Sequence, residues 1–222
     1  MLFSYEEIIK IYKTDYMLKK ALKEKTIYKI EKGIYSDGKN NFTSIELVLK
    51  KYKDAFLVKD TALNLIGFIK DEPTRIHIGT ARNALRIKDE RVHQHFYGNL
   101  DNEILYESKW LGTEYRFLCS NNIKKYTTEN GNEIRMFNLK ALLFDVMRNY
   151  KKYTKEDLLY ILDKFKNCSQ FYDLDRWDFE YNLAYENVIS KIEFLDNDIY
   201  EMLEDIFSEV DYREFKMKYG LY

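Results

Sequence analysis

Only two residues, Lys13 and Thr14, separate two short amphipathic helical patterns at the start of the chain. The first pattern opens at Ser4, three residues before Glu7, which is the spacing of a reciprocal helix cap. The second spans residues 15–25 and keeps its apolar side chains on one face. Because so short a join cannot turn gradually, the two helices must cross at a sharp angle, as in a helix-turn-helix.

A β-hairpin pattern follows these helices directly. Ile27–Ile30 predicts a strand, Glu31–Gly33 a turn and Ile34–Tyr35 the returning strand, with glycine supplying the positive φ that short hairpins often need. A two-stranded hairpin is only marginally stable alone, so we expect its isoleucines to pack against the apolar face of the second helix. Two helices and a hairpin predict a small winged helix-turn-helix domain over residues 1–40.

Lysines dominate the other face of the second helix, and the major groove of B-DNA is wide enough to admit such a helix. We expect the lysines of this helix and of the hairpin to contact phosphates, and the residues at the helix start to be the better candidates for base contact. The alternative is a small basic module that packs or docks on protein. The candidate DNA-binding residues are Thr14, Asp15, Tyr16, Lys19, Lys20, Lys23, Lys25, Lys29 and Lys32.

The charges of the chain are divided unevenly, although they almost cancel. From Phe171 onwards 14 acidic residues accompany 5 basic ones, a balance of −9, so the first 170 residues carry +8. This division fits an anionic partner for the N-terminal part and a different role for the acidic part. It fits equally well two solvated surfaces of opposite sign.

The rest of the chain predicts a mixed α/β domain over residues 41–222, with a helical C-terminal part from about residue 139, so the fold class is α+β. Helices are expected after Thr43, at Thr61–Gly67 and after Thr154. Asn130-Gly131 indicates a tight hairpin turn. The expected strands are Arg75–Gly79, Val92–Tyr97, Glu114–Cys119, Ile123–Thr128 and Glu133–Phe137, and further helical patterns occur around 178–194, 197–209 and 211–219.

Three segments resemble the AbiEi antitoxins of type IV toxin–antitoxin systems. Residues 4–37 are similar to the N-terminal domain of that family, most closely in IYKIEKGIY. AFLVKDTALNLIGF, residues 55–68, resembles the following segment, and GNEIRMFNLKALLFDVMRN, residues 131–149, resembles a later strand and helix. Where family members commonly have a Glu-Arg-Thr-Leu-like run entering that helix, this chain has Leu139–Leu142.

The resemblance implies a DNA-binding antitoxin of abortive infection and phage defence that represses its own operon, and not an enzyme. It implies double-stranded promoter DNA with inverted repeats as a partner, bound by two copies because operator symmetry mirrors protein symmetry. It also implies a nucleotidyltransferase-like toxin, which such antitoxins oppose without necessarily forming a stable complex. No cofactor is expected.

Residues suited to metal or catalytic chemistry are few. His93 and His95 share one face of a predicted strand and could hold a metal, but His77 is far away in sequence, so we favour a surface pair and predict no metal site. Glu107 and Lys109 form the Glu-x-Lys triplet of many Mg²⁺-dependent nucleases, for which Asp89 or Asp101 would be the partner carboxylate. A protein-interaction module without DNA binding and, less favoured, such a nuclease are the alternatives.

The composition favours a cytoplasmic protein with no membrane partner. No apolar run approaches the roughly 20 residues that span a bilayer. The first ten residues contain acids where a signal peptide has basic residues. Cys119 and Cys168 fit reduced thiols and not a disulfide framework.

Overall fold

The structure is a computed structural model that describes most of the chain. Residues 106–110 and 113–117 are described by their backbone alone. The predicted helical stretches around 178–194 and 211–219, together with Asp101 and Cys119, lie outside the described residues. The described residues are 1–97, 106–110, 113–117, 123–168, 197–199 and 201–206.

Residues 1–37, the N-terminal unit, combine a three-stranded antiparallel sheet with two helices. The strand order is β1-β3-β2, so the first strand of the chain pairs with the last strand of the unit. Strand β1 was not predicted, because three residues are too few to show an alternating pattern. The elements are β1 (Leu2–Ser4), α1 (Tyr5–Tyr12), α2 (Asp15–Lys23), β2 (Tyr28–Glu31) and β3 (Ile34–Ser36).

Local sequence explains where the two helices begin and where the first one ends. Ser4 and Glu7 form both hydrogen bonds of the predicted capping box at the start of α1. Lys13 takes a φ of 65°, which stops α1, and Thr14 then caps α2. Only Lys13 and Thr14 therefore separate α1 from α2, as predicted.

The isoleucines of the hairpin pack in two directions. Ile27 and Tyr35 contribute to a small core with the buried residues of α1 and α2. The expectation that Ile30 and Ile34 also face α2 is wrong, because they pack in a second cluster that includes Leu47 of the following helix. Ile34 and Tyr35 are neighbours in one strand, so their side chains must leave opposite faces of the sheet.

A five-stranded mixed sheet with its helices forms the remainder, which we call the body. The strand order is β6-β5-β4-β10-β9; the β6–β5 and β4–β10 pairs are parallel and the other two pairs are antiparallel. Strands β7 and β8 form a separate hairpin. The strands are β4 (Phe56–Leu57), β5 (Ile76–Ala81), β6 (Val92–Tyr97), β7 (Tyr106–Trp110), β8 (Thr113–Phe117), β9 (Ile123–Thr127) and β10 (Glu133–Phe137).

The helices of the body pack on this sheet and bury its apolar side chains. Leu142 of α5 and Phe165 of α6 are fully buried in a continuous core with Phe56 of β4. Residues 197–199 and 201–206 are helical, and Leu203 and Ile206 reach the same core. The helices are α3 (Ser44–Lys51), α4 (Lys59–Leu65), α5 (Leu139–Arg148) and α6 (Lys155–Lys166), with a 3₁₀ turn at Tyr150–Lys152.

Two turns each contain a glycine with a positive φ. Helix α4 ends at Leu65, two residues before its predicted end, and is closed by Gly67 as expected. Gly67 has a φ of 77°, and the N–H groups of Gly67 and Phe68 donate to the carbonyls of Asn64 and Leu63. The turn predicted at Asn130-Gly131 is present but is longer than a two-residue loop. The Gly131 N–H donates to the Thr128 carbonyl, and Gly131 has a φ of 75°, which is a type I turn followed by a left-handed residue.

The fold class is α+β, as the sequence predicts. The predicted strands Val92–Tyr97 and Glu133–Phe137 are confirmed with the same bounds. Within the described ranges, no helix combines the length and the apolar character needed to cross a bilayer.

Candidate nucleic-acid interface and a histidine cluster

Helix α2 buries two apolar residues and exposes its lysines, whereas Met17, expected on the apolar face, is 47% exposed. Leu18 and Ala21 are 3% and 4% exposed and face the core of the N-terminal unit. Tyr16, by contrast, is 74% exposed. All nine candidate DNA-binding residues lie at exposed positions, and the lysines of α2 are Lys19, Lys20 and Lys23.

Two of the candidates for base contact already hold the helices in place. The Thr14 hydroxyl accepts a hydrogen bond from the Met17 N–H at 3.2 Å, and the Asp15 carboxylate accepts one from the Tyr5 hydroxyl at 2.6 Å. The neighbouring Asp15 carboxylate raises the pKa of the Tyr5 phenol. Tyr16 is therefore the residue at the start of α2 with the greatest exposed surface.

The hairpin presents Lys25, Lys29 and Lys32 to solvent. Lys25 has a φ of 59°, just after the end of α2. The tip is short and is held by α1, because the Gly33 carbonyl accepts a hydrogen bond from the Tyr5 N–H at 2.9 Å. The hairpin lysines are therefore exposed near a tip that is fastened to α1.

Ion pairs attach the N-terminal unit to the body. Glu31 of β2 lies 2.8 Å from Arg91 and 3.1 Å from Lys51, and both cations also bind Asp89. Hydrogen bonds from Arg91 and then from Lys51 outweigh partial burial and hold the pKa of Asp89 well below its usual range. The Leu2 N–H also donates to the Asn132 side chain at 2.6 Å. The predicted boundary at residue 40 remains a prediction.

The structure brings all three histidines of the chain into one cluster. In the parallel pair β5–β6, His77 is directly opposite His93, and His95 lies two residues further along the same face. His95 Nε2 is 3.1 Å from His77 Nδ1, and one ligand nitrogen from each ring lies within 4.8 Å of the others. The sequence argument failed to include His77, because the register of two parallel strands is not visible in sequence spacing.

Burial favours the neutral form of two of these imidazoles, His77 and His95, by lowering the pKa of each. It lowers the pKa of His95 to about 3, with the positive charge of Lys59 adding to the effect, and burial also lowers the pKa of His77. Asp60 is the nearby carboxylate that acts in the opposite direction on His77. Neutral imidazole nitrogens are the form that binds transition metals.

The proposed nuclease triplet gains no partner from the described residues. Glu107 and Lys109 lie on β7, whose side chains are outside the described residues, as is Asp101. Asp89 is engaged by Arg91, Lys51 and the Tyr52 hydroxyl, so its carboxylate is already neutralised.

Neither a scan of known protein families nor a search of curated proteins finds a match to this chain.

Proposed function

We propose that the N-terminal unit is a winged helix-turn-helix that binds double-stranded DNA, in an AbiEi-like antitoxin that represses its own operon. The observation that carries DNA binding is the division of α2, which buries Leu18 and Ala21 and exposes Tyr16 with its lysines. Solvation alone requires only a polar outer face, whereas the outer face of α2 carries three lysines. A helix that enters the major groove needs cations for the phosphates on both sides of it.

The proposed DNA contacts are of two kinds, with lysines on the phosphates and Tyr16 on the base edges. Lys19 lies in the middle of α2 and Lys23 one turn later at its end, and their ammonium groups are proposed to bind phosphates and release counterions. Tyr16 lies at the start of the helix, which is the end that meets base edges in this class of motif. The lysines therefore supply affinity, and Tyr16 supplies sequence preference.

The antitoxin part of the proposal is supported by the position of the segments that resemble the family. Residues 55–68 form β4 and α4, and residues 131–149 contain β10 and α5. The two strands pair in parallel, with Met136 opposite Leu57, and both belong to the buried core. Segments that are distant in sequence thus form one structural unit, which is consistent with a shared ancestry of the body.

DNA binding is tested by fluorescence anisotropy with the DNA upstream of the coding sequence, over a range of salt concentrations. We expect Lys19→Ala combined with Lys23→Ala to weaken binding and to lower the slope of log K against log[salt] by about 1–2, since each phosphate contact contributes about 0.9. Lys124→Ala combined with Lys151→Ala is the matched control, because it removes the same charge from exposed positions of the body. Equal weakening by both pairs, or no binding by the intact protein at low salt, contradicts the proposal.

The Tyr16→Ala variant tests the proposed sequence preference separately from the contribution of the lysine charges. We expect it to reduce the preference for the upstream DNA over an unrelated duplex by about 10–100-fold, while leaving the salt slope unchanged. An unchanged preference would assign base contact to another residue. A lowered salt slope would show that Tyr16 acts through the phosphates.

Antitoxin activity is tested by growth. We expect a nucleotidyltransferase gene beside the coding sequence, and we expect this chain to restore growth when both are expressed. The Lys19→Ala, Lys23→Ala variant should still restore growth from an unrelated promoter, because the proposal places neutralisation in the body. Absence of such a neighbouring gene, or growth that is not restored by the wild type, contradicts the antitoxin part alone.

A further inference from the structure

We propose that His77, His93 and His95 form a binding site for a divalent transition metal of the Zn²⁺ class, with a fourth coordination position open to water or to a small anionic ligand. This site is separate from the DNA-binding surface proposed above, and nothing in that function requires it.

The first observation concerns where the histidines of the chain lie. A chain of 222 residues contains three histidines, and all three lie in this one cluster. A histidine that only fills space on a strand needs no second imidazole beside it. Here the three ring centroids lie 4.5–5.1 Å apart, so each ring contacts both others.

The second observation is the spacing of the ligand atoms. Two nitrogens of a tetrahedral Zn²⁺ site with bonds of about 2.0–2.1 Å are about 3.3 Å apart. The 3.1 Å between His95 Nε2 and His77 Nδ1 is close to that separation. One nitrogen of each of the three rings lies within 4.8 Å of the others, and His93, the third ring, is exposed.

The third observation is that neighbouring groups fix the two strands that carry the rings. The His77 N–H donates to the Thr61 hydroxyl at 2.8 Å, and its carbonyl accepts from the Val58 N–H at 3.2 Å, which attaches β5 to the start of α4. On the opposite face of β6, the Gln94 amide donates to Thr80 at 2.8 Å. A site on rigid strands is preorganised for its ligand.

The chemistry of the ligands selects the class of metal. Imidazole nitrogen suits Zn²⁺, Co²⁺, Ni²⁺ and Cu²⁺, whereas Mg²⁺ and Ca²⁺ prefer oxygen. Three protein ligands leave one tetrahedral position open, unlike a closed structural site with four.

The test uses the full chain without a polyhistidine tag, freed of metal by a chelator. We expect Co²⁺ to bind one per chain and to give visible absorption bands of a four-coordinate nitrogen and oxygen site. Zn²⁺ should abolish these bands, and a large excess of Mg²⁺ should not. Absence of the bands, or strong thiolate absorption in the near ultraviolet indicating cysteine ligands, overturns the proposal.

Substitutions of single histidines test which side chains bind the metal. Single substitutions His77→Gln, His93→Gln and His95→Gln should each weaken Co²⁺ binding by about 100-fold or more, because two imidazoles make a poor site. Phe96→Leu is the matched control, since Phe96 lies on β6 beside His95, faces the other side and is 48% exposed. Binding that is unchanged in the histidine variants, or equally weakened in the control, overturns the assignment.

A second measurement avoids substitution, in case a variant does not fold. Diethyl pyrocarbonate acylates free imidazoles, and mass spectrometry can follow each histidine in the wild-type protein. Zn²⁺ at one equivalent should protect all three histidines together by about 10-fold or more, because a bound nitrogen is not nucleophilic. Unaltered acylation of any one of them removes it from the site.

Discussion

At the scale of single residues, the clearest departure from expectation is a buried carboxylate. Glu46 completes the capping box with Thr43 at the start of α3 and is only 2% exposed. Its carboxylate also accepts hydrogen bonds from Thr128 and Asn130 of the β9–β10 turn. One side chain therefore caps a helix and holds a distant hairpin, and only the first role could be predicted from sequence.

The buried hydrogen bonds of the Glu46 carboxylate should make its contribution to the free energy of unfolding depend on pH. Burial alone would raise its pKa, but hydrogen bonds from Thr128 and from the Thr43 N–H, among others, bring the net pKa below its ordinary value. A carboxyl group whose pKa is lower in the folded state stabilises the fold above its unfolded pKa and loses that contribution as the pH falls. We expect Glu46→Gln to lower the free energy of unfolding by about 1–3 kcal/mol at pH 7 and by less near pH 4.

Urea denaturation of wild type and variant at the two pH values measures this difference. Glu129→Gln is the matched control, because Glu129 is an exposed acid in the same turn. A loss of equal size at both pH values would show that the amide disturbs packing and that the charge of Glu46 is unimportant.

At the scale of elements, the sequence patterns predicted the helices and strands that are long or that are bounded by turn-forming residues. Strand β6 and strand β10 appear with their predicted bounds, because alternation and flanking turn residues mark both ends. Strands β1 and β4 have only three and two residues, too few for any period to appear. The partner of each strand was not predictable, since pairing joins residues far apart in sequence.

The end of α4 allows a test of backbone conformation alone. Gly67 has a φ of 77°, and a Cβ atom added there would meet nothing within 4 Å. We expect Gly67→Ala to lower the free energy of unfolding by about 1 kcal/mol, because only the left-handed backbone is disfavoured. Gly67→Asn should cost less, since asparagine tolerates this conformation better. Equal losses in urea denaturation would indicate a side-chain effect instead.

The candidate surfaces were predictable to different degrees. The exposed lysines of α2 followed from helical periodicity, which assigns each residue to a face. The structural role of Asp15 was not predictable, because its hydrogen bond with Tyr5 joins two elements. The three-histidine cluster was missed, because it depends on strand register and not on any local pattern.

At the scale of the whole molecule, the N-terminal unit and the body meet through charged residues. Arg91 is the central cation of that contact, since it binds Glu31 of the N-terminal unit and Asp89 of the body. Its side chain is 37% exposed, so solvent screens part of the interaction. The attachment therefore depends on ionic strength as well as on the apolar cluster of Leu2, Ile34 and Leu47.

We expect Arg91→Ala to lower the free energy of unfolding by about 1–2 kcal/mol, because Glu31 and Asp89 both lose a partner. The loss should shrink in 1 M salt, where exposed charges interact less. Arg86→Ala, in the exposed part of the same loop, is the control and should change stability little. A loss that is independent of salt in thermal unfolding would attribute the effect to packing of the arginine stem.

The parallel pairing of β5 and β6 has a consequence for sequence variation. The connection between these strands, residues 82–91, contains no helix and acts as a spacer that sets how far one strand slides along the other. Deleting a single residue from it, without touching any histidine, would shift β6 by one step and point His93 and His95 away from His77. In this chain the length of a loop thus decides whether three imidazoles meet.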